Sequence, residues 1–198
     1  MELLGTIQGQ DIYQQDDGTF QFISLIEVDG DGSPRCYGPA GVETLDYLAN
    51  AGSSGNWYGV VVDKEGDPIV QGPSDPNPGY YISTTSLQIP GYSLNSPNRY
   101  LNSETVPYVV VPGKIAKAAK GIVLGCYCTV TDTRNGNTVE AVCGDTGPSN
   151  KMGEASIAVA KALGIPSSPK NGGCDDQVFV YKFWPGTPAP GYSLQPLC

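Results

Sequence analysis

Residues 142–162 read VCGDTGPSNKMGEASIAVAKA, and the order of signals within them decides the fold. Asp145 leaves an apolar run into a Gly147-Pro148 turn, and an amphipathic pattern follows. The spacing predicts a helix over 150–163. Ser149 or Asn150 can cap it, Met152, Ala155, Val159 and Leu163 fall on one apolar stripe, and Gly164 then Pro166 stop it. Such a stripe must be covered, so the helix is expected to pack on a sheet.

Outward from this unit, strand signals dominate. TFQFISLIEV at 19–28 has the β-branched and aromatic content of a buried strand and ends in Asp29-Gly30-Asp31-Gly32, a doubled turn signal. Further strands are expected at 56–62 (NWYGVVV), 69–70, 79–84 (GYYIST) and 106–111 (VPYVVV), each bounded by Gly, Pro, Asn or Asp. Residues 124–131 and 138–143 read as a hairpin across Arg134-Asn135-Gly136-Asn137, and 177–183 as the last strand. Two weaker helix signals lie at 42–51 (VETLDYLANA) and 115–120. The 26 glycines and 17 prolines among 198 residues far exceed the average share of about 12% and rule out a helical bundle. The length suits one domain, with 1–17 as an N-terminal segment and 185–198 as a Pro-rich tail.

Composition removes several classes of function. There is no histidine, so Ser-His-Asp and Cys-His nucleophile systems and His-containing zinc sites are excluded, and acid–base chemistry falls to carboxylates. The net charge is −9 and uneven: residues 1–80 hold 13 acids and 2 bases, the remainder 7 acids and 9 bases. That balance argues against nucleic acid and for a neutral or cationic ligand. No apolar run approaches the ~18 residues of a membrane span, and MELLGTIQGQD lacks a signal-peptide pattern, so a secretion signal is expected to have been removed or replaced by Met1.

Cys36, Cys126, Cys128, Cys143, Cys174 and Cys198 form no CxxC pair. Disulfides in an oxidising compartment are expected, against the alternative of buried free thiols, and the 15 pairings stay open. Cys126 and Cys128 share one face of a strand and each needs its own partner, while Cys198 could dock the tail.

Asp145 at a strand end and Glu154 near the start of the helix entered through a short loop share one rim; such a strand end and helix usually lie within ~10 Å, the range a glycosidic acid–base pair uses, although sequence separation gives no distance. The chemistry needs one protonated donor and one ionised base. Each residue also has a structural use, as an Asx-turn and as a charge at a helix N-terminus. The segment GDTGPSNKMGEAS resembles the most specific motif of the glycoside hydrolase family 75 chitosanases, in which an Asp after Gly and a Glu within GEAS are the catalytic pair. The strand-DGDG stretch at 23–32, VPYVVVPG at 106–113 and a final VFVYKF strand follow the same order, so the resemblance covers Gly18 to Trp184, and residues 56–87 resemble the bacterial-type branch.

The resemblance implies endo hydrolysis of β-1,4 bonds between glucosamine units of chitosan, with inversion, by Asp145 and Glu154 and without metal or organic cofactor. Glu154 near a helix N-terminus would be the base and Asp145 the acid. The strand-Asp-turn-helix order is also similar to double-psi β-barrel proteins such as family 45 cellulases and murein-acting barrels. It implies a mainly β fold with one principal helix and a double-psi β-barrel-like core carrying an N-terminal elaboration.

For substrate binding, Asp29 and Asp31 lead as amine-binding carboxylates, with Asp16, Asp17 and Asp132 behind them. The DxDG string lacks the remaining ligands of a calcium loop. Tyr37, Trp57, Tyr58, Tyr80 and Tyr81 are candidate sugar platforms, each with a core role as its alternative. Lys114, Lys117 and Lys120 read as a solvated face, and Asp63, Asp67 and Asp75 as turn residues. The resulting expectation is a secreted monomer acting on chitosan or glucosamine oligosaccharides. The alternatives are a non-catalytic, expansin-like carbohydrate-binding barrel and a hydrolase of peptidoglycan or chitin.

Overall fold

The computed structural model describes residues 1–197, and Cys198 lies outside the described residues. The strands, in chain order, are β1 (Glu2–Ile7), β2 (Gln10–Gln14), β3 (Phe20–Asp29), β4 (Gly52–Ser53), β5 (Asn56–Trp57), β6 (Tyr108–Pro112), β7 (Cys126–Asp132), β8 (Thr138–Gly147), β9 (Glu154–Ser156) and β10 (Cys174–Pro188). Helix α1 (Gly113–Ala118) follows β6, and α2 (Ile157–Leu163) follows β9.

Strict alternation builds the core. Phe20, Phe22, Ser24 and Ile26 of β3 and Phe179, Tyr181 and Phe183 of β10 point inward. Their rings stack in cross-strand contact, with centroids 4.6 Å apart for Phe20–Phe183 and 5.1 Å for Phe22–Tyr181. The ring β3-β10-β7-β8-β6-β9 closes through β3–β9 pairing, giving a six-stranded barrel. Two of its pairs, β6–β8 and β3–β9, are parallel and the rest antiparallel, which is the double-psi-like mixed core expected. Closure leaves the barrel itself without a free edge. The β1–β2 hairpin extends β3 through the single pair Gln14↔Phe20, and β10 runs into the Pro-rich tail, where after a break in register beyond Trp184 one further pair forms, Pro188↔Cys126.

Several local expectations need correction. The helix expected over 150–163 begins only at Ile157, capped by Ser156, whose Oγ accepts from Val159 N at 3.3 Å. Gly153, at φ +98°, stops any earlier helix, and residues 154–156 give their backbone to β3 instead. Met152 and Ala155 are buried all the same, in the barrel core. Gly164 ends α2 in the left-handed region, as its position implied.

The helix expected at 42–51 is only a 3₁₀ turn at Leu48–Ala51. Leu45 and Asp46 donate their amides to the carbonyls of Arg35 and Cys36, and the Asp46 carboxylate accepts from Tyr47 N and Asn50 Nδ2, so distant carbonyls and a local side-chain cap hold the segment in place of a helix. Of the strands expected at 56–62, 69–70 and 79–84, only Asn56–Trp57 is regular; the rest form isolated bridges such as Val60↔Ser83 and Val70↔Tyr81.

Among the described cysteines no pair is bonded. The sulfurs of Cys126 and Cys128 are 3.9 Å apart, beyond bonding distance, and Cys143 is buried with them in the core. No helix among the described residues is long and apolar enough to cross a membrane.

Candidate active site

The two parallel pairs bring four acidic residues to one end of the barrel. Asp29 ends β3, Asp31 sits in the turn beyond it, Asp145 lies near the end of β8 and Glu154 opens β9. All four line a cleft of about 650 Å³, walled further by Tyr37, Asp46, Asn50, Tyr58, Lys151 and residues 169–172.

The turn after β3 is held from several sides. Asp29 Oδ1 accepts from Asp31 N at 2.8 Å, Tyr108 Oη donates to the Asp31 carbonyl at 2.9 Å, and Ser103 Oγ donates to the Gly30 carbonyl at 2.8 Å. Gly32 is obligatory: φ is +77°, and a Cβ there would stand 1.9 Å from the Leu101 carbonyl oxygen. Tyr37 Oη donates to Asp31 Oδ1 at 2.6 Å. One carboxylate oxygen from each of Asp29, Asp31 and Asp145 lies within 4.8 Å of the other two.

Asp145 is 9% exposed and its two oxygens are unlike. Oδ1 accepts from Ser86 Oγ at 2.5 Å, Thr146 N at 2.7 Å and Ser86 N at 3.0 Å. With Oδ1 so engaged, Oδ2 is left to carry a proton. Burial pushes Asp145 up to about 6, against the lowering by Ser86 and Thr146, and the charge of Glu154 adds to the rise. Burial, then the charge of Asp145, pushes Asp29 up to about 8; burial, Asp29 and Asp145 hold Asp31 well above the ordinary carboxyl range. Three carboxyls so close cannot all ionise, and the spacing suits shared protons or a single bound cation.

Glu154 is in a different setting. Its Oε1 accepts from Lys151 Nζ at 2.8 Å, and the same ammonium lies 2.5 Å from Glu27 Oε2. Gly147 leaves room for this carboxylate, since a Cβ there would approach Glu154 Oε2 to 2.9 Å and Val110 Cγ1 to 3.0 Å. Glu154 lies on a strand, so the helix-terminus argument for its negative charge is replaced by an ion pair. Asp145 and Glu154 therefore share one cleft in unlike environments, one carboxyl buried among acids and the other beside a cation.

The expected substrate contacts divide. Asp29, Asp31, Tyr37 and Tyr58 line the cleft, but the Tyr37 ring is 2% exposed, so it acts through its hydroxyl and offers no platform. Tyr58, 66% exposed on the rim, is free to stack. Trp57 packs instead against Cys36, Tyr37, Ala51 and Val60 and does not line the cleft. Tyr81 packs on the same cluster, and Tyr80 donates to the Glu43 carbonyl at 2.9 Å. Asp16 pairs with the N-terminal amine, Asp17 accepts from Thr19, and Asp132 pairs with Arg134 at 2.8 Å. None of these three lines the cleft.

Sequence reasoning missed Glu27, Asp46, Lys151, Lys170 and Ser86. Lys151 carried one usable signal, its position three residues before Glu154; Ser86 carried none. No model of a known protein family matches this chain, and no curated protein matches it by sequence.

Proposed function

We propose that the protein is an endo-acting chitosanase that cleaves β-1,4 bonds between glucosamine units by an inverting mechanism. The observation that carries this reading is the contrast between Asp145 and Glu154 across one cleft. Asp145, with Oδ1 engaged and its pKa raised to about 6, donates a proton from Oδ2 to the leaving glycosidic oxygen at mildly acidic pH. Glu154, paired with Lys151, accepts a proton from the attacking water. Roles follow from environment, as with other unlike carboxyl pairs.

The cleft charge supports a cationic substrate. Six acids (Glu27, Asp29, Asp31, Asp46, Asp145, Glu154) line the cleft with two lysines, so that even with Asp29, Asp31 and Asp145 holding protons the remaining acids outnumber the bases three to two, and the amines of chitosan are protonated under the same conditions. Tyr58 offers a sugar face a ring at the rim, and Asp46 and Asn50 offer polar partners on the same wall. A polymer-degrading enzyme of this kind acts outside the cell as a monomer and without cofactor; in that compartment its cysteines have the opportunity to pair.

The test is incubation with chitosans of graded acetylation, chitin and peptidoglycan, following reducing ends and the anomeric form of the first product. Release from chitosan with the α-anomer appearing first supports the reading. Asp145→Asn and Glu154→Gln should each abolish turnover in a folded protein. Binding without release from any polymer would make the protein a non-catalytic carbohydrate-binding barrel, and preference for peptidoglycan or chitin would move it to a related hydrolase.

A further inference from the structure

We infer that Lys151 is a positioning residue, which by bridging Glu27 and Glu154 keeps the Glu154 carboxylate charged and fixed toward the cleft. The inference rests on the reading of Glu154 as the base. Its ground is the register of the barrel. Glu27 and Glu154 are direct partners in the parallel β3–β9 pair, so the fold sets two acidic side chains side by side on neighbouring strands, which stand about 4.8 Å apart. Like charges so placed are unfavourable, and one shared proton would be the resolution without a counterion.

Lys151 supplies the counterion. Its Nζ is 2.8 Å from Glu154 Oε1 and 2.5 Å from Glu27 Oε2, with the lysine side chain 35% and Glu154 22% exposed. Asp145 of β8 and Asp29 of β3, which feel the charge of Glu154, are acids, and the other lysine of the cleft, Lys170, donates its Nζ to the Thr44 carbonyl at 2.7 Å. Tyr181 of β10 spends its hydroxyl on the carbonyls of Leu25 and Gly153. Removing the ammonium thus leaves Glu27 and Glu154 to share a proton, and a protonated Glu154 cannot take one from water.

The experiment compares wild type with Lys151→Met, Lys151→Gln, Lys151→Arg and the double variant Lys151→Met/Glu27→Gln, each checked for folding by circular dichroism. In the Met and Gln variants the low-pH limb of the chitosan kcat/KM profile should move up by about 1 pH unit or more, a loss of about tenfold on that side. Lys151→Arg should keep the limb in place, and Glu27→Gln should return it in the Met background, which a merely structural role for Lys151 would not produce. A limb unchanged in both the Met and Gln variants, or not returned by Glu27→Gln, overturns the inference while leaving the proposed function standing. The same variants labelled with ¹³C at glutamate carboxyls give a readout independent of turnover. The Glu154 resonance should respond at higher pH in Lys151→Met than in wild type, and no movement overturns the inference even if chitosan is never cleaved.

Discussion

Asp145→Asn should stabilise the folded protein at neutral pH while removing turnover. The folded carboxyl titrates near 6 and the unfolded one near its ordinary 3.8. A group raised on folding favours the fold fully below 3.8, and that contribution is lost as pH rises through 6. The difference of about 2 pH units corresponds to about 3 kcal/mol at pH above 6, since each unit is about 1.4 kcal/mol. Asparagine removes this loss, keeps an oxygen for the Ser86 and Thr146 donors, and relieves the charge that Asp145 places on Asp29 and Asp31. For a chain of this length 3 kcal/mol is a gain of roughly 6–12 °C in Tm. Calorimetry of both proteins from pH 3.5 to 8 measures it. The gain should appear only on the alkaline side and vanish below about pH 4. A variant less stable than wild type at pH 7.5, or a Tm difference independent of pH, would refute the reasoning that burial keeps this carboxyl protonated.

Three further outcomes follow from the same geometry. Ser86→Ala removes the 2.5 Å donor that favours ionised Asp145, so the high-pH limb of the chitosan rate profile should move up by ~1 unit, a hydrogen bond to a charged group being worth about 1.5–3 kcal/mol; a limb that moves down contradicts Asp145 as the acid. Gly153→Ala forces a Cβ to 2.6 Å from Ser24 Oγ and 2.7 Å from the Leu25 carbonyl at φ +98°, and denaturant titration should show a loss of about 3 kcal/mol. With shared protons among Asp29, Asp31 and Asp145, dialysis against EDTA should leave turnover of chitosan unchanged; activity lost on dialysis and restored by a divalent cation would make the trio a metal site instead.

The barrel strands with many hydrogen-bonded neighbours were legible. β3, β7 and the middle of β10 alternate inward and outward, β8 carries a continuous buried run over 141–145, and the Asn135-Gly136 turn fixes the β7–β8 hairpin, so hydrophobic pattern and turn chemistry suffice. β9 was not legible. Its three residues sit between Gly153 and a helix, and their extended form comes from pairing with β3 and β6, partners that no local window contains. The same reason hides the 3₁₀ turn at Leu48–Ala51, where Asp46 and distant carbonyls override a helical pattern. In the cleft, Asp29, Asp31, Asp145 and Glu154 could be read because turn residues flank them. Glu27 looked like an ordinary outward strand residue, and only the parallel register with β9 gives it a partner.

The pairing of β9 also bears on how the chain reaches its native state. This short strand closes the ring between β3 and β6, joining segments far apart in the chain, and such closures are slow because ordering entropy is spent before contacts return it. Glu154 is the first residue of that strand, so a chain that has formed the β7–β8 hairpin and its pairing with β10 has not yet brought Glu154 into the cleft with Asp145. Under the proposed function, recovery of hydrolysis during refolding lags behind recovery of strand signal, and activity serves as a clock for barrel closure.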